Sequence, residues 1–165
     1  MIRPGLLLLA ALLAACVARA PAGGFRDAAA PIWSSAAFDP ARIEGRWQQV
    51  AGFRSPSRAG CGDGAVTFQP AAGGLRIDGR LCLDGKVERV SGLAKVAGPG
   101  RLDVTGPADW WVLWVDEGYR TLAIGTPDGS FGFVLDRGPA AADRMTAARQ
   151  IFDFNGYDVS ALRPF

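Results

Sequence analysis

The chain has no histidine, 16 aspartates and glutamates and three cysteines, which rules out most of the constellations that make or break bonds. Without an imidazole there is no Ser-His-Asp or Cys-His pair, no histidine-ligated zinc or haem, and no side chain that titrates unperturbed near neutral pH. Cys16, Cys61 and Cys82 are too widely spaced for a Cys-x-x-Cys redox or metal motif. Carboxylates and lysines remain, but no nucleophile stands visibly beside a base. The residues therefore read as a non-enzymatic chain with no metal and no cofactor. What is left is thiol modification and the burial of apolar surface.

Arg3, the apolar run Leu6 to Leu13 and the small residues Ala14 and Ala15 describe a secretory signal peptide over residues 1–15. The run is too short for a transmembrane helix, which needs about 20 apolar residues. Leu13-Ala14-Ala15-Cys16 resembles a bacterial lipobox. That resemblance implies cleavage before Cys16, a diacylglyceryl group on its thiol and a further acyl chain such as palmitate. The alternative is an ordinary signal peptide that happens to contain a cysteine. Two or more acyl chains hold a protein durably on a membrane. Val17 stands where resemblance to lipoproteins would associate Asp with inner-membrane retention, so an outer-membrane location is expected, with the body of the protein in the periplasm. Residues 16–37, rich in Ala, Pro and Gly, read as a flexible tether. In an oxidising compartment the two remaining thiols, Cys61 and Cys82, are expected to form a disulfide.

The elements that must carry these groups are short strands. A net charge of +2, a pI near 8.6 and no run of like charges argue against a nucleic-acid binder. Strand-like runs cover Trp47 to Phe53, Ala65–Gln69, Leu75–Leu81, Val87–Val96, Arg101–Thr105, Trp111–Val115, Tyr119–Gly125 and Phe131–Asp136. Turn residues separate them, at Asp84-Gly85, Gly98-Pro99-Gly100, Gly106-Pro107 and Pro127-Asp128-Gly129. Eight evenly spaced runs with short connections predict an all-β, eight-stranded antiparallel up-and-down β-barrel over residues 38–165. One helix is expected over Ala140 to Phe154, with Met145, Ala148 and Ile151/Phe152 on one stripe and Asn155-Gly156 as its stop. Such a helix would pack on the barrel wall.

Gly45-Arg46-Trp47, the Asp116…Tyr119 turn and Arg137 at the end of the last long strand together resemble the lipocalins. Asp136-Arg137-Gly138-Pro139 and Gly156-Tyr157-Asp158-Val159-Ser160 are similar to the bacterial outer-membrane branch of that family. The resemblance implies that Arg137 lies over the Trp47 ring and that Gly45, Trp47, Asp116, Tyr119 and Arg137 close one end of the barrel. If Trp47 points inward, strand alternation carries Gln49, Ala51 and Phe53 with it. Phe131, Phe133 and Leu135 share the face of Arg137. In Trp110-Trp111-Val112-Leu113-Trp114 both faces are apolar, and the resemblance favours Trp110, Val112 and Trp114 inside; Arg120, Leu122 and Ile124 would then face in on the next strand.

These inward residues either line a slot for a small hydrophobic ligand or fill the barrel and leave a shallow mouth. The slot is preferred, because a ligand site in a barrel mouth is common. The function this implies is binding, transport or storage of fatty acids, lysophospholipids or similar lipids at the bacterial outer membrane, and envelope maintenance, by a monomer or weak homodimer held through its acyl anchor. A lipocalin-fold enzyme acting on an apolar substrate and a structural envelope lipoprotein are the alternatives.

Overall fold

Alternating apolar residues and frequent Gly and Pro turns carry the chain into nine strands: β1 (Gly45–Phe53), β2 (Ala65–Ala71), β3 (Gly74–Leu83), β4 (Lys86–Gly98), β5 (Arg101–Val104), β6 (Trp110–Val115), β7 (Thr121–Gly125), β8 (Gly132–Asp136) and β9 (Leu162–Pro164). One helix, α1 (Ala142–Phe154), lies between β8 and β9. The structure, a computed structural model, describes residues 24–165. The expected signal peptide, Cys16 and residues 17–23 lie outside the described residues. Each of β1 to β7 pairs antiparallel with the next, and β8 pairs with β1, so the eight strands close into a barrel. A 3-10 turn over Pro40–Ile43, capped by the Asp39 carboxylate, precedes β1.

Two apolar clusters follow from the two faces of this sheet. The interior one gathers Trp47, Val66, Phe68, Ile77, Leu81, Leu102, Trp110, Val112, Leu122, Ile124, Phe133 and Leu135, all essentially inaccessible to solvent. The second lies between wall and helix, where Ala51, Phe53, Leu113, Ala123, Val134, Ala148, Phe152, Tyr157 and Leu162 pack together. Gly132 permits the close approach: a Cβ there would lie 2.9 Å from the Phe53 ring and 3.1 Å from the Phe152 ring.

Two β-bulges correct the alternation read from the sequence. The β1–β8 register slips between Gln49 and Ala51, so Ala51 stands opposite Val134 and joins the helix-facing cluster. Ala51 and Phe53, expected inside, are therefore under the helix. The β6–β7 register slips between Val112 and Trp114, and Trp114 pairs with outward-facing Ala123. Trp110 and Val112 stay inside while Trp114 turns out. An extra residue in one strand reverses every side chain beyond it. Arg120 was also expected inside; it is instead largely exposed and bound to Asp116.

Gln49 does face inward, but its amide is already occupied. Its Nε2 donates to the Cys82 carbonyl at 2.9 Å, and its Oε1 accepts the Cys82 N–H at 2.7 Å. β2 pairs with β1 only as far as Gln48, so beyond that point β1 and β3 would lack a strand between them. The Gln49 side chain fills this seam with the two hydrogen bonds a backbone would have made. Beyond it, β9 takes the same edge of β1, opposite Ala51 to Phe53.

Residues 24–37 are not the free tether expected of them. Phe25 and Ile32 pack against the helix-side cluster. Arg26 is buried, donating from Nε to the Asn155 carbonyl at 3.1 Å and from Nη1 to the Pro127 carbonyl at 2.7 Å, with Nη2 on the Ala30 carbonyl. An Ala/Pro/Gly composition obscured three anchoring residues. The disulfide between Cys61 and Cys82 is formed, as expected.

Replacing Gln49 with Leu would strand a buried N–H and a buried carbonyl at the seam. The expected cost is about 2–4 kcal/mol in denaturant unfolding, together with faster hydrogen exchange at the Cys82 amide. Unchanged exchange at Cys82 would contradict the role given to Gln49.

Candidate functional site

The two ends of the barrel differ in chemistry. At one end the chain is tied down by polar contacts. The Arg137 guanidinium carbon lies 4.3 Å from the centre of the Trp47 ring, while Trp47 Nε1 donates to the Ile43 carbonyl at 2.8 Å. Arg137 also donates to the carbonyls of Tyr119 (2.9 Å), Arg42 (2.9 Å) and Glu44 (3.0 Å). One guanidinium thus joins the β6–β7 turn, the segment before β1 and the end of β8, using its fixed fork of donors. Gly45 has φ +106°, and a Cβ there would sit 3.3 Å from Arg137 Nη1, so both conformation and space favour glycine.

Asp116 and Tyr119 order the same end. The Asp116 carboxylate accepts from the backbone N–H of Arg120 (2.5 Å) and Thr121 (2.6 Å) and from Arg120 Nε (2.8 Å). Burial works to raise its pKa, but these donors together hold the carboxyl below its ordinary value of 3.8. The Tyr119 hydroxyl accepts the Asp39 N–H at 2.7 Å and donates to the Ala37 carbonyl at 3.0 Å, with Arg42 stacked 3.8 Å over its ring. Gly45, Trp47, Asp116, Tyr119 and Arg137 thus converge at one end of the barrel. Sequence reading missed Arg42 and Asp39, whose partners lie more than 70 residues away.

From this floor toward the other end the buried interior cluster is aliphatic and aromatic, and near the mouth the register places Glu88 opposite Leu81 and Lys86 opposite Leu83 on the same face. Phe133 makes an edge contact with Trp110 at 5.1 Å and stacks on Phe131 at 6.2 Å. Leu122, Ile124 and Leu135 complete this wall. Near the open end lie Leu83, Val104 and Phe131, and half-buried Ala108 of the β5–β6 loop packs against the interior cluster. A slot wide enough for an alkyl chain would leave its lining accessible to water. Trp110, Val112, Leu122, Ile124, Phe133 and Leu135 are no more than 1% exposed. In this conformation the aromatics fill the barrel, and the open slot preferred from sequence is not present.

Of the eleven residues expected to meet a ligand, the structure gathers Trp110, Val112, Leu122, Ile124, Phe131, Phe133 and Leu135 in the interior. It commits Gln49 to the seam and turns Ala51, Phe53 and Trp114 toward the helix. Among the described residues no group of three or more acidic or thiol side chains is placed to hold a metal ion.

A family model described as a lipocalin-like domain matches residues 38–165. Among solved structures, lobster apocrustacyanin A1 is similar with a TM-score of 0.52 at 15% identity, over 82% of this chain and 88% of that one. Insecticyanin from the tobacco hornworm Manduca sexta is similar with a TM-score of 0.57 at 12% identity, over 86% and 85%. At these identities the likeness is one of fold. No curated protein sequence matches significantly.

Two variants check the closed end. Arg137→Met keeps an apolar stem over Trp47 but loses three donors, and is expected to destabilise by about 2–3 kcal/mol in denaturant titration. Asp116→Asn keeps an acceptor but loses the charge. Because the folded-state pKa of Asp116 is depressed, the advantage of wild type over this variant should be complete above about pH 5 and vanish as pH falls through the folded value. An advantage unchanged at pH 2 would show that charge is not what Asp116 contributes.

Proposed function

The chain belongs to the lipocalin-like family, and from that premise we propose that it is a non-enzymatic binding protein for small apolar molecules, taken in at the open end of the barrel. The observation that carries this reading is the polarity of the two ends: hydrogen bonds and a guanidinium close one, while Leu83, Val104, Trp110 and Phe131 meet the other. An apolar ligand gains about 25 cal/mol for each Å² it buries, before ordering costs. Because aromatics fill the resting interior, the ligand must part Phe131, Phe133 and Trp110, and a flexible alkyl chain suits that entry better than a rigid ring. Fatty acids and lysophospholipids have this chemistry. The absence of histidine supports binding over turnover.

The lipobox-like Leu13-Ala14-Ala15-Cys16 supports an acyl anchor, and Val17 supports the outer membrane with the barrel in the periplasm. Phe25 donates its N–H to the Gly129 carbonyl in the β7–β8 turn, so the described chain starts beside the open end. Seven residues separate Gly24 from Cys16, a reach of at most about 30 Å over eight chain steps. An anchor there keeps the mouth close to the membrane that would supply the ligand. A second reading, an envelope protein that docks partners by its exterior, rests on Trp33, 60% exposed, and Phe154, 71% exposed.

A fluorescent fatty-acid analogue should bind the mature chain saturably, with micromolar or tighter affinity, and be displaced by unlabelled fatty acid. Phe131→Ala opens space at the mouth and should tighten binding or speed it, whereas Ala108→Trp should obstruct it. No saturable binding to either wild type or Phe131→Ala would reject the carrier reading. Mass spectrometry of the mature N-terminus should find Cys16 acylated; an unmodified Cys16 would reject the anchor alone.

A further inference from the structure

A cleft of about 630 Å³ lies outside the barrel, on the wall made by β1 to β4. Its floor follows from the register. Gln48, Ala65, Arg80 and Arg89 form one cross-strand row on the outer face, and Arg46, Thr67, Asp78 and Ser91 form the next. Ala65 is small, which hollows the first row at its centre. One side is raised by Gly62, Asp63 and Gly64, and the Cys61–Cys82 disulfide pins that loop to β3. Gln48 Nε2 donates to the Asp63 carboxylate, holding the loop from the other direction.

The charges in this cleft are arranged in a way a folded sheet ordinarily avoids. Arg80 and Arg89 stand directly opposite one another on β3 and β4. Opposed residues on one face have Cβ atoms about 5 Å apart, and like charges there are destabilising. Arg46 lines the same cleft. Among the described residues none of the three pairs with a carboxylate; the ion pairs formed are Arg58–Asp84, Arg120–Asp116 and Arg144–Asp136. Two acids also line the cleft, but Asp63 is engaged by Gln48 and Asp78 lies in the neighbouring row between Thr67 and Ser91. The row holding Arg80 and Arg89 has no acid of its own. On its far side lies Val87, 61% exposed and opposite Cys82, an apolar surface beside a doubly cationic one.

We propose that this cleft is a binding site for a phosphate-type oxyanion, bridged between the Arg80 and Arg89 guanidiniums, with Arg46 across the cleft and Val87 beside it for an apolar substituent. An anion in that position turns a repulsive pair into two charge-assisted, fork-shaped contacts, the geometry for which guanidinium is suited. Free phosphate and the headgroup of an anionic phospholipid both present this oxyanion; the recognising chemistry is the same. The site is separate from the barrel interior and does not rest on the carrier reading.

The test uses the mature chain in nonionic detergent, titrated at constant ionic strength with inorganic phosphate and, in a second arm, with dihexanoyl phosphatidylglycerol as monomer. Side-chain Nε–H resonances of Arg80 and Arg89 report occupancy, and thermal unfolding reports linkage. Phosphate should shift both resonances saturably and raise the melting temperature, whereas chloride at matched ionic strength should not. Arg80→Gln and Arg89→Gln should each weaken binding about tenfold or more. Arg76→Gln, on the same face of β3 but outside the cleft, should change it by about twofold or less. Without ligand, Arg89→Gln should be at least as stable as wild type, because the opposed pair is relieved. Response to the phospholipid alone would assign the headgroup as the source, and response to phosphate alone the free ion. Shifts equal in phosphate and chloride, or binding that survives both Arg80→Gln and Arg89→Gln, would overturn the site.

Discussion

A sheet that closes on itself must satisfy both edges of its first strand, and β1 does so with more than one partner. β8 covers one edge. On the other, β2 covers the first half and β9 the second, and these two do not meet. The gap falls at Gln49, whose amide supplies one donor and one acceptor to Cys82. Buried backbone groups left unpaired cost about 1–3 kcal/mol each, and an open strand edge is a template for association. The barrel therefore depends on a side chain imitating a strand at one point. The Cys61–Cys82 disulfide crosses at the same residue, so covalent and hydrogen-bonded closure act together there.

Closure also divides the molecule into ends of unequal rigidity. Directional contacts gather around Trp47 and Arg137, where three carbonyls and one indole share a guanidinium and where the Asp116 carboxylate closes the β6–β7 turn. Along the wall, Arg144 donates to Asp136 at 3.1 Å and to the Thr121 hydroxyl at 2.6 Å, fixing the start of α1 toward the same end. The interior residues nearer the mouth are held by packing, which is non-directional and tolerates rearrangement more readily than a hydrogen-bond network. Motion that opens the barrel is therefore less opposed at that end.

The architecture was legible because its signals are local: period-two alternation, Gly and Pro turns, and an alanine-rich run with an Asn-Gly stop. The closed end was legible through resemblance, since Trp47 and Arg137 lie 90 positions apart and nothing in their spacing alone pairs them. What failed shares a cause. Ala51 and Phe53 were carried inward from Trp47 by alternation and Trp114 was placed inside by the resemblance, and a bulge between Gln49 and Ala51 or Val112 and Trp114 reverses the face without a mark in the composition. Gln49 looked available to a ligand because the seam it fills exists only after eight strands have closed. Residues 24–37 looked like linker because Phe25 and Arg26 find hydrogen-bond partners at Gly129, Pro127 and Asn155, 100 or more positions later. β9 has three residues, fewer than any periodicity can reveal.

The filled interior sets the terms on which the barrel could hold anything. If only a fraction of molecules has Phe131 displaced from Phe133, the apparent affinity falls by that fraction, whatever the contacts of the bound state. A ligand must then replace the aromatic contacts it breaks, and its own apolar area has to exceed what the parted rings lose. A slender chain entering between Trp110 and Phe131 can do this one methylene at a time, at about 0.8 kcal/mol for each one buried. A broad, rigid molecule must displace several rings at once before any burial is gained. On the proposed carrier reading, the same packing that stabilises the empty barrel would select by shape, and that selection would act at the mouth.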